Sequence, residues 1–487
     1  MAISFDQIPN TILVPGQYIE ISNTGAVRGL FGMPSRALLI GQKLSSGPAP
    51  AGVPFIFGDA ATVEAQCGRG SMLQRMATFF KAANPYTEVW ALPLADAVAG
   101  VTATSTVTFS GTAAAGTINL YAGGRRVRVA TATGTAATAV ATAVAAAVNA
   151  DTSLPVTAGA GGAVVTLTAR HKGEVGNSID IRLNYYAGEF LPSGLTADVV
   201  AMSGGTGNPD VTSAIAALGD TWWTDVVFPY TDSANLALIE AEAEARNGPL
   251  IMRDMALYSA VAATYSGLNT WAGTRNSSNL FVLGLKAPPH AIEEVAASYA
   301  GVASYYTHID PARPLQTLAL PGVNPPGIGD RFTWTERNVL LGGGIGTAMI
   351  DDGGVVRIER AVSTYLTNPY GVADPSWRDL ETKKTVAWIR YQRRARVATK
   401  FPRHKLASDG TRAGAGQALV TPKIIRADGI AQFRQWEEVG MVESVDSWID
   451  GYIVERDATD PNRVNELLPA DIVNGLRVFA GRVQFVL

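Results

Sequence analysis

Four histidines, one cysteine and a few glycine-rich turns are where catalysis would first be sought in this 487-residue chain. His171, His290, His308 and His404 are far apart and lie beside no obvious ligand pattern. Cys67 has no second cysteine to pair with, so the fold does not rest on disulfides, and a small buried apolar role fits it. No P-loop, H-E-x-x-H, G-x-S-x-G or paired C-x-x-C motif occurs. Gly342-Gly343-Gly344-Ile345-Gly346 invites a phosphate-loop reading, but a β-hairpin pattern follows it instead of the helix such a loop requires. Asp351-Asp352-Gly353-Gly354 holds two carboxylates, yet it reads as that hairpin's turn and needs no cation. Gly204-Gly205-Thr206-Gly207 reads as a linker and Gly159-Ala160-Gly161-Gly162 as a hairpin loop. No cofactor or metal is expected; an α/β enzyme without a recognisable motif is the alternative class, since scattered residues can carry catalysis on such sheets.

Two other features have a chemistry of association. Residues 378–405 hold ten Lys or Arg against two acids, Asp379 and Glu381. On a helix, Lys383, Arg390 and Arg394 fall within about 20° of one line. Three readings stand: a solvated helix face, an electrostatic seam against an acidic partner, or nucleic-acid contact, for which aromatic interleaving (Trp388, Tyr391) is thin. The second feature is the chain end, Leu476 to Leu487. Phe479, Val483, Phe485 and Leu487 would share one face of a strand, with Leu476, Val478 and Val486 on the other. Chain ends are usually frayed and polar. Such a strand therefore enters its own sheet or adds to a neighbour's. Twelve residues at ~3.3 Å each reach roughly 40 Å, far enough to bridge to another subunit.

The elements that position these features alternate between α/β and β-rich composition, and an α/β (α+β multidomain) architecture is expected. Residues 1–24 read as an arm, with Gln17 to Ile21 (including Tyr18 and Ile19) a short strand and Pro15 favouring an edge or inter-chain position. Residues 25–97 form a first core part, with an apolar strand at Ala37–Ile40, a helix over 70–83 and a strand at 89–92. Residues 98–203 are rich in Ala, Thr and Gly and read as an inserted β-rich domain with one helix, Thr138 to Asn149. Residues 204–330 return to α/β alternation, with strands at 225–229, 250–252 and 280–285 and a helix over 290–304, ending in a long proline-rich loop. Residues 331–470 form a C-terminal core with helices at 335–341, 381–398 and 429–439 and a strand region over 444–456; residues 471–487 are the C-terminal arm.

Composition sets the remaining bounds. Hydrophobic residues make up 47%, ample for buried cores, and the formal charge of −3 gives no global attraction to nucleic acid or anionic lipid. The first residues lack a basic region and an apolar stretch of the signal-peptide kind, and no run of about 18 apolar residues is long enough to span a membrane. Neither nucleic acid nor membrane is expected as a partner.

At several places the sequence resembles the tail sheath proteins of Mu-like contractile phages. The resemblance rests on Val14-Pro15-Gly16-Gln17-Tyr18-Ile19-Glu20-Ile21, Arg36 to Gln42, Gly68 to Leu73 with Met76, and Trp90 to Leu94 with Asp96. It continues through Gly116 to Tyr121, Thr168 to Glu174 with Gly176-Asn177, and Asp460 to Asn465 with Leu468-Pro469. It implies a structural, non-enzymatic subunit of the virion tail, assembled in the host cytoplasm. Its partners would be itself, as hexameric discs in a helical array, the inner tail tube protein, and the baseplate and tail terminator. Contraction would drive the tube through the host envelope for genome ejection; a sheath of a phage-derived bacteriocin particle is the variant reading. Strand exchange through the arms would link neighbours, assigning Tyr18, Ile19, Ile21, Val478, Phe479, Val483, Phe485 and Leu487 to inter-subunit pairing. By analogy Lys383, Arg390 and Arg394 would face the tube, the α/β sheath core would be built from both chain ends, and the inserted domain would face outward.

Overall fold

In the computed structural model the described residues are 13–19, 30–412, 414 and 416–486. Ala37-Leu38-Leu39-Ile40 is wholly buried on both faces, and this dictates its place at the centre of a sheet covered by helices on both sides. The sheet has six strands in the order Leu280–Leu285, Ala256–Ala262, Asp225–Val227, Arg36–Gln42, Glu88–Leu94 and Phe55–Phe57. The first five are parallel, with Leu38 level with Val226 on one side and Trp90 on the other. Phe55–Phe57 closes one edge antiparallel. Segments from both sides of the insertion thus build one sheet over one core.

Two helices, Met72–Ala83 and Ile292–Ile309, pack on this sheet and on each other. Ser71 caps the first by accepting from the Gln74 N–H at 3.2 Å. Their close approach depends on Gly301, where a Cβ would stand 2.8 Å from Ala83 Cβ and 2.9 Å from the Phe80 carbonyl oxygen.

Residues 98–203 enclose a separate core of Val107, Phe109, Leu120, Val144, Val165 and Leu167, among others. Antiparallel strands Leu195–Ser203, Thr102–Ala113, Val164–Lys172 and Val156–Gly161 lie in that order, beside a small sheet of Ile181–Leu183, Gly116–Ala122 and Arg125–Thr131. The helix Ala137–Ala150 turns Val140, Val144 and Val148 inward. A Val101–Thr206 bridge ties the two chain passes at the neck of this unit.

The hairpin Thr347–Ile350/Val356–Arg360 belongs to the central core, and a third core gathers beside the helix Leu380–Lys400. It contains Ile389, Phe433, Trp436, Met441, Val445, Trp448 and Tyr452. Beside it stands a ribbon that has two strands among the described residues, Ile453–Arg456 with Val464–Leu467.

Several elements differ from expectation. The strand expected at 250–252 is a turn after Gly248-Pro249, with Met252 in the left-handed region; the ladder forms at Ala256–Ala262. The helix expected at 429–439 begins at Pro422, where Thr421 accepts from the Ile424 N–H. Residues 444–452 are short helical turns, and only Ile453–Arg456 is strand. Gln17–Ile19 forms no strand, and Ile21 lies outside the described residues. Residues 474–486 form no strand either, and Leu487 lies outside the described residues.

Candidate assembly interface

The helix Leu380–Lys400 carries both features that the sequence singled out. Its cations find acids that lie far away in sequence. In its first half Lys384 Nζ meets Asp225 Oδ1 at 2.7 Å and the Thr224 carbonyl at 3.0 Å. Arg390 donates to Asp254 Oδ2 at 3.1 Å and to the Asn247 carbonyl at 2.7 Å. Both contacts hold the helix against the end of the central sheet.

In its second half Arg393 donates to Glu466 at 2.8 Å and to Gln432 at 3.2 Å, and Arg396 meets Asp428 at 2.8 Å. Lys400 also pairs with Asp428, and Tyr452 donates to Glu466. This network joins the helix to the helix Pro422–Glu438 and to the ribbon. Burial by itself would raise the Asp428 carboxyl, but bonds from Arg396 and Lys400 outweigh it and hold the group below the usual carboxylate range.

The three residues expected to face a partner part company here. Lys383 is 8% exposed, with its ammonium 5.1 Å from the Trp377 ring, and burial lowers its pKa. Arg390 is engaged with Asp254 and Asn247. Arg394 is exposed, its guanidinium 6.0 Å from the Trp222 ring. Helical spacing says which residues share a line; the acid that turns that line inward at Arg390, Asp254, lies 136 residues away in sequence. Beyond the helix, Arg403, Lys405 and Arg412 are exposed as well.

Both arms are rooted on this same helix. Gln392, fully buried, binds the Phe31 backbone through both its amide atoms, and Tyr391 donates to the Gly32 carbonyl at 2.9 Å. At the other end Arg477 donates to Glu381 at 2.9 Å, while Glu381 accepts from the Leu315 N–H at 2.8 Å. Gln316 donates to the Leu476 carbonyl at 3.1 Å. Gln392 and Glu381 are eleven residues apart, about 16 Å along the axis. These roots carried no sequence signal, because each is a polar residue inside a basic run.

Outside the roots the described arm residues are largely uncovered. Ile19 is 86% exposed, Phe479 87% and Val483 94%, and Tyr18, Val478 and Phe485 are exposed as well. Residues 13–19 and 478–486 form no strand within the chain. Between the helix and the ribbon runs a groove of about 550 Å3, lined by Val386, Ile389, Val397 and Leu468 with Arg393 and Arg394. Among the described residues the ribbon's outer edges pair with nothing.

The places first considered for catalysis have structural partners. Gly346 exchanges backbone hydrogen bonds with the strand Leu280–Leu285, at 2.8 and 2.9 Å, so the glycine run lets backbone dock on backbone. Asp351 accepts from the Val355 N–H at 2.8 Å and from Arg357 at 2.7 Å within the hairpin turn. Burial pushes the Cys67 thiol up to about 12. Among the described residues no cluster of His, Cys, Asp and Glu could hold a metal ion, and no helix is long and apolar enough to cross a membrane.

Comparison with known proteins adds the following. Residues 204–364 match the phage tail sheath protein central domain, and residues 372–486 match the phage tail sheath C-terminal domain. The junction between them falls just before the helix that starts the third core. The chain is 41% identical over 488 residues, covering all of both proteins, to the Mu-like prophage FluMu tail sheath protein of Haemophilus influenzae. Among solved structures it aligns with the sheath tail protein of Desulfitobacterium hafniense at TM-score 0.48 and 12% identity, covering 94% of this chain and 100% of that one. The contracted helical sheath of the anti-feeding prophage aligns at TM-score 0.49 and 11% identity, over 97% of this chain and 99% of that one.

Proposed function

Because the chain belongs to the phage tail sheath family, we propose that its subunits polymerise helically around an inner tail tube and contract to drive that tube through the host envelope. One observation carries the assembly mechanism: two uncovered apolar arms rise from one helix that also borders an unpaired two-stranded ribbon. A lone two-stranded ribbon is marginal in water, and an unpaired strand edge is a template for another chain. Val478, Phe479, Val483 and Phe485 supply an extended apolar segment of the kind that adds to such an edge, and Tyr18 and Ile19 supply a second.

An arm that leaves one subunit and pairs with the next makes a heterologous contact. Such contacts do not close as a dimer; repeated, they give rings or open helices. Contraction then becomes a passage between two packings of subunits, with the arms as tethers throughout. Because Lys384, Arg390, Arg393 and Arg396 are tied to acids within the subunit, the C-terminal core and the central sheet move together. The exposed cations Arg394, Arg403, Lys405 and Arg412 are the surface offered to an acidic tube. Baseplate and terminator would engage the two ends of the lattice. The role is structural; assembly happens in the host cytoplasm and the product is part of the virion tail.

Negative-stain electron microscopy of the purified chain over a concentration series tests this. Hollow striated tubes of uniform width are expected, alone or on added tube protein. Small closed particles at every concentration, with tube protein present, would refute it.

A further inference from the structure

We propose that the inserted domain is held on the central core by an acid-released latch, in which His171 of the insertion joins Asp96 at its neck to Met72 of the core. The hydrogen bonding around His171 fixes its state. The Met72 N–H can only donate, and it points at His171 Nε2 from 3.0 Å. Nε2 must therefore carry no proton, and the ring's single N–H sits on Nδ1, 3.0 Å from Asp96 Oδ1. Asp96 also accepts from Gln42 at 2.8 Å and from the Lys172 N–H at 3.1 Å, and Gln42 donates to the Lys172 carbonyl at 2.7 Å. One imidazole thus connects a core helix, the neck carboxylate and the insertion's strand Val164–Lys172.

A second proton on Nε2 has nowhere to go. It would face the Met72 N–H at the first turn of the helix Met72–Ala83, where backbone dipoles already favour negative charge. His171 is 7% exposed, so water does not relieve it. Burial, reinforced by the cations Arg75 and Arg170, favours the neutral ring; the Asp96 carboxylate opposes them, and the net pKa is lowered. Lys172 and Glu293 line the same small cavity as His171, with Gln42 and Arg75. Glu293 is raised, chiefly by burial and against the pull of Arg75, so it offers a weakened counter-charge. With the folded value below the free value of about 6.5, the latch is intact above that pH. It is lost as pH falls through the lowered value.

A second buried imidazole, His290, lies under the insertion's Gly123–Gly124 turn and pairs with Glu294 at 3.2 Å. It belongs to the core and makes no bond to the neck, so it serves as the control.

The test uses the full chain carrying Thr142→Cys on the insertion and Ala241→Cys on the core, labelled with a donor and acceptor dye and diluted into unlabelled protein. Buried Cys67 stays unlabelled. Transfer efficiency is read from pH 8 downward through the titration of His171, which is followed by its Cε1–H resonance in histidine-labelled protein. The latch predicts a one-proton change in efficiency at the pH where His171 titrates. It also predicts that the change is absent in His171→Gln, whose amide can both donate to Asp96 and accept from Met72, and persists in His290→Gln. No efficiency change while His171 titrates, a midpoint separate from that of His171, or an unaltered midpoint in His171→Gln would overturn the proposal.

Discussion

Gln392 grips the backbone of Phe31 from both sides: its Oε1 accepts from the Phe31 N–H at 2.9 Å, and its Nε2 donates to the Phe31 carbonyl at 2.6 Å. The two residues are 361 positions apart, and their pairing sets where the N-terminal arm leaves the body. On the same helix the Glu381–Arg477 pair sets the departure of the C-terminal arm. The spacing of both arms is therefore built into one rigid element.

Gln392→Ala should leave the Phe31 amide groups without their partner. A cost of about 1–3 kcal/mol is expected, the penalty for orphaned buried groups. Denaturant unfolding would report the loss, and shorter or fewer tubes at equal concentration would report the loosened root. Wild-type stability together with wild-type tube length would contradict the role given to this pair.

Asp428 is the common acceptor of Arg393, Arg396 and Lys400. Asp428→Ala should destabilise the C-terminal core by about 1–3 kcal/mol, since it takes the main partner from the largely buried Arg396, while Arg393 keeps Glu466 and Lys400 is exposed. The pH dependence follows from its lowered carboxyl. The group stabilises fully above the free value of about 3.9, and that contribution is lost as pH falls through the lowered folded value. Acid unfolding of this core, followed by fluorescence of Trp436 and Trp448, should move to higher pH when Arg396→Ala removes one donor.

Lys383 and Arg394 should behave oppositely although they share a helix face. Lys383→Glu puts a carboxylate where an ammonium is 8% exposed, so the subunit itself should lose stability. Arg394→Glu should leave unfolding within about 0.5 kcal/mol of wild type, as surface changes do. It should instead weaken docking on the tube at low salt, with the difference fading as salt screens exposed charge. Equal docking by wild type and Arg394→Glu at low ionic strength would remove the tube-facing role.

What the sequence made legible was what local pattern decides. Ala37–Ile40 read as a strand of the buried type, and the spacing of Val140, Val144 and Val148 as one face of a helix, and both are buried in the fold. The apolar residues of the chain end announced a segment in need of cover. The basic helix was legible as a helix but not in its orientation, because Asp225, Asp254, Asp428 and Glu466 reach it only through tertiary folding. The start of the helix at Pro422 had a readable cap in Thr421-Pro422, and the missed turn at 250–252 had its Gly-Pro. The arm roots had no readable signal, since nothing local marks Gln392 or Glu381 as an anchor.

The most direct test removes residues 478–487, cutting beyond the Arg477 anchor, and compares the product with the whole chain by unfolding and by electron microscopy. The account predicts a subunit whose thermal unfolding is unchanged, because none of the removed residues among those described pairs with the body, and which forms no tubes with or without tube protein. Tubes of normal width from the shortened chain would contradict the central claim. So would an unfolded product, which would place the arm in the subunit's own core.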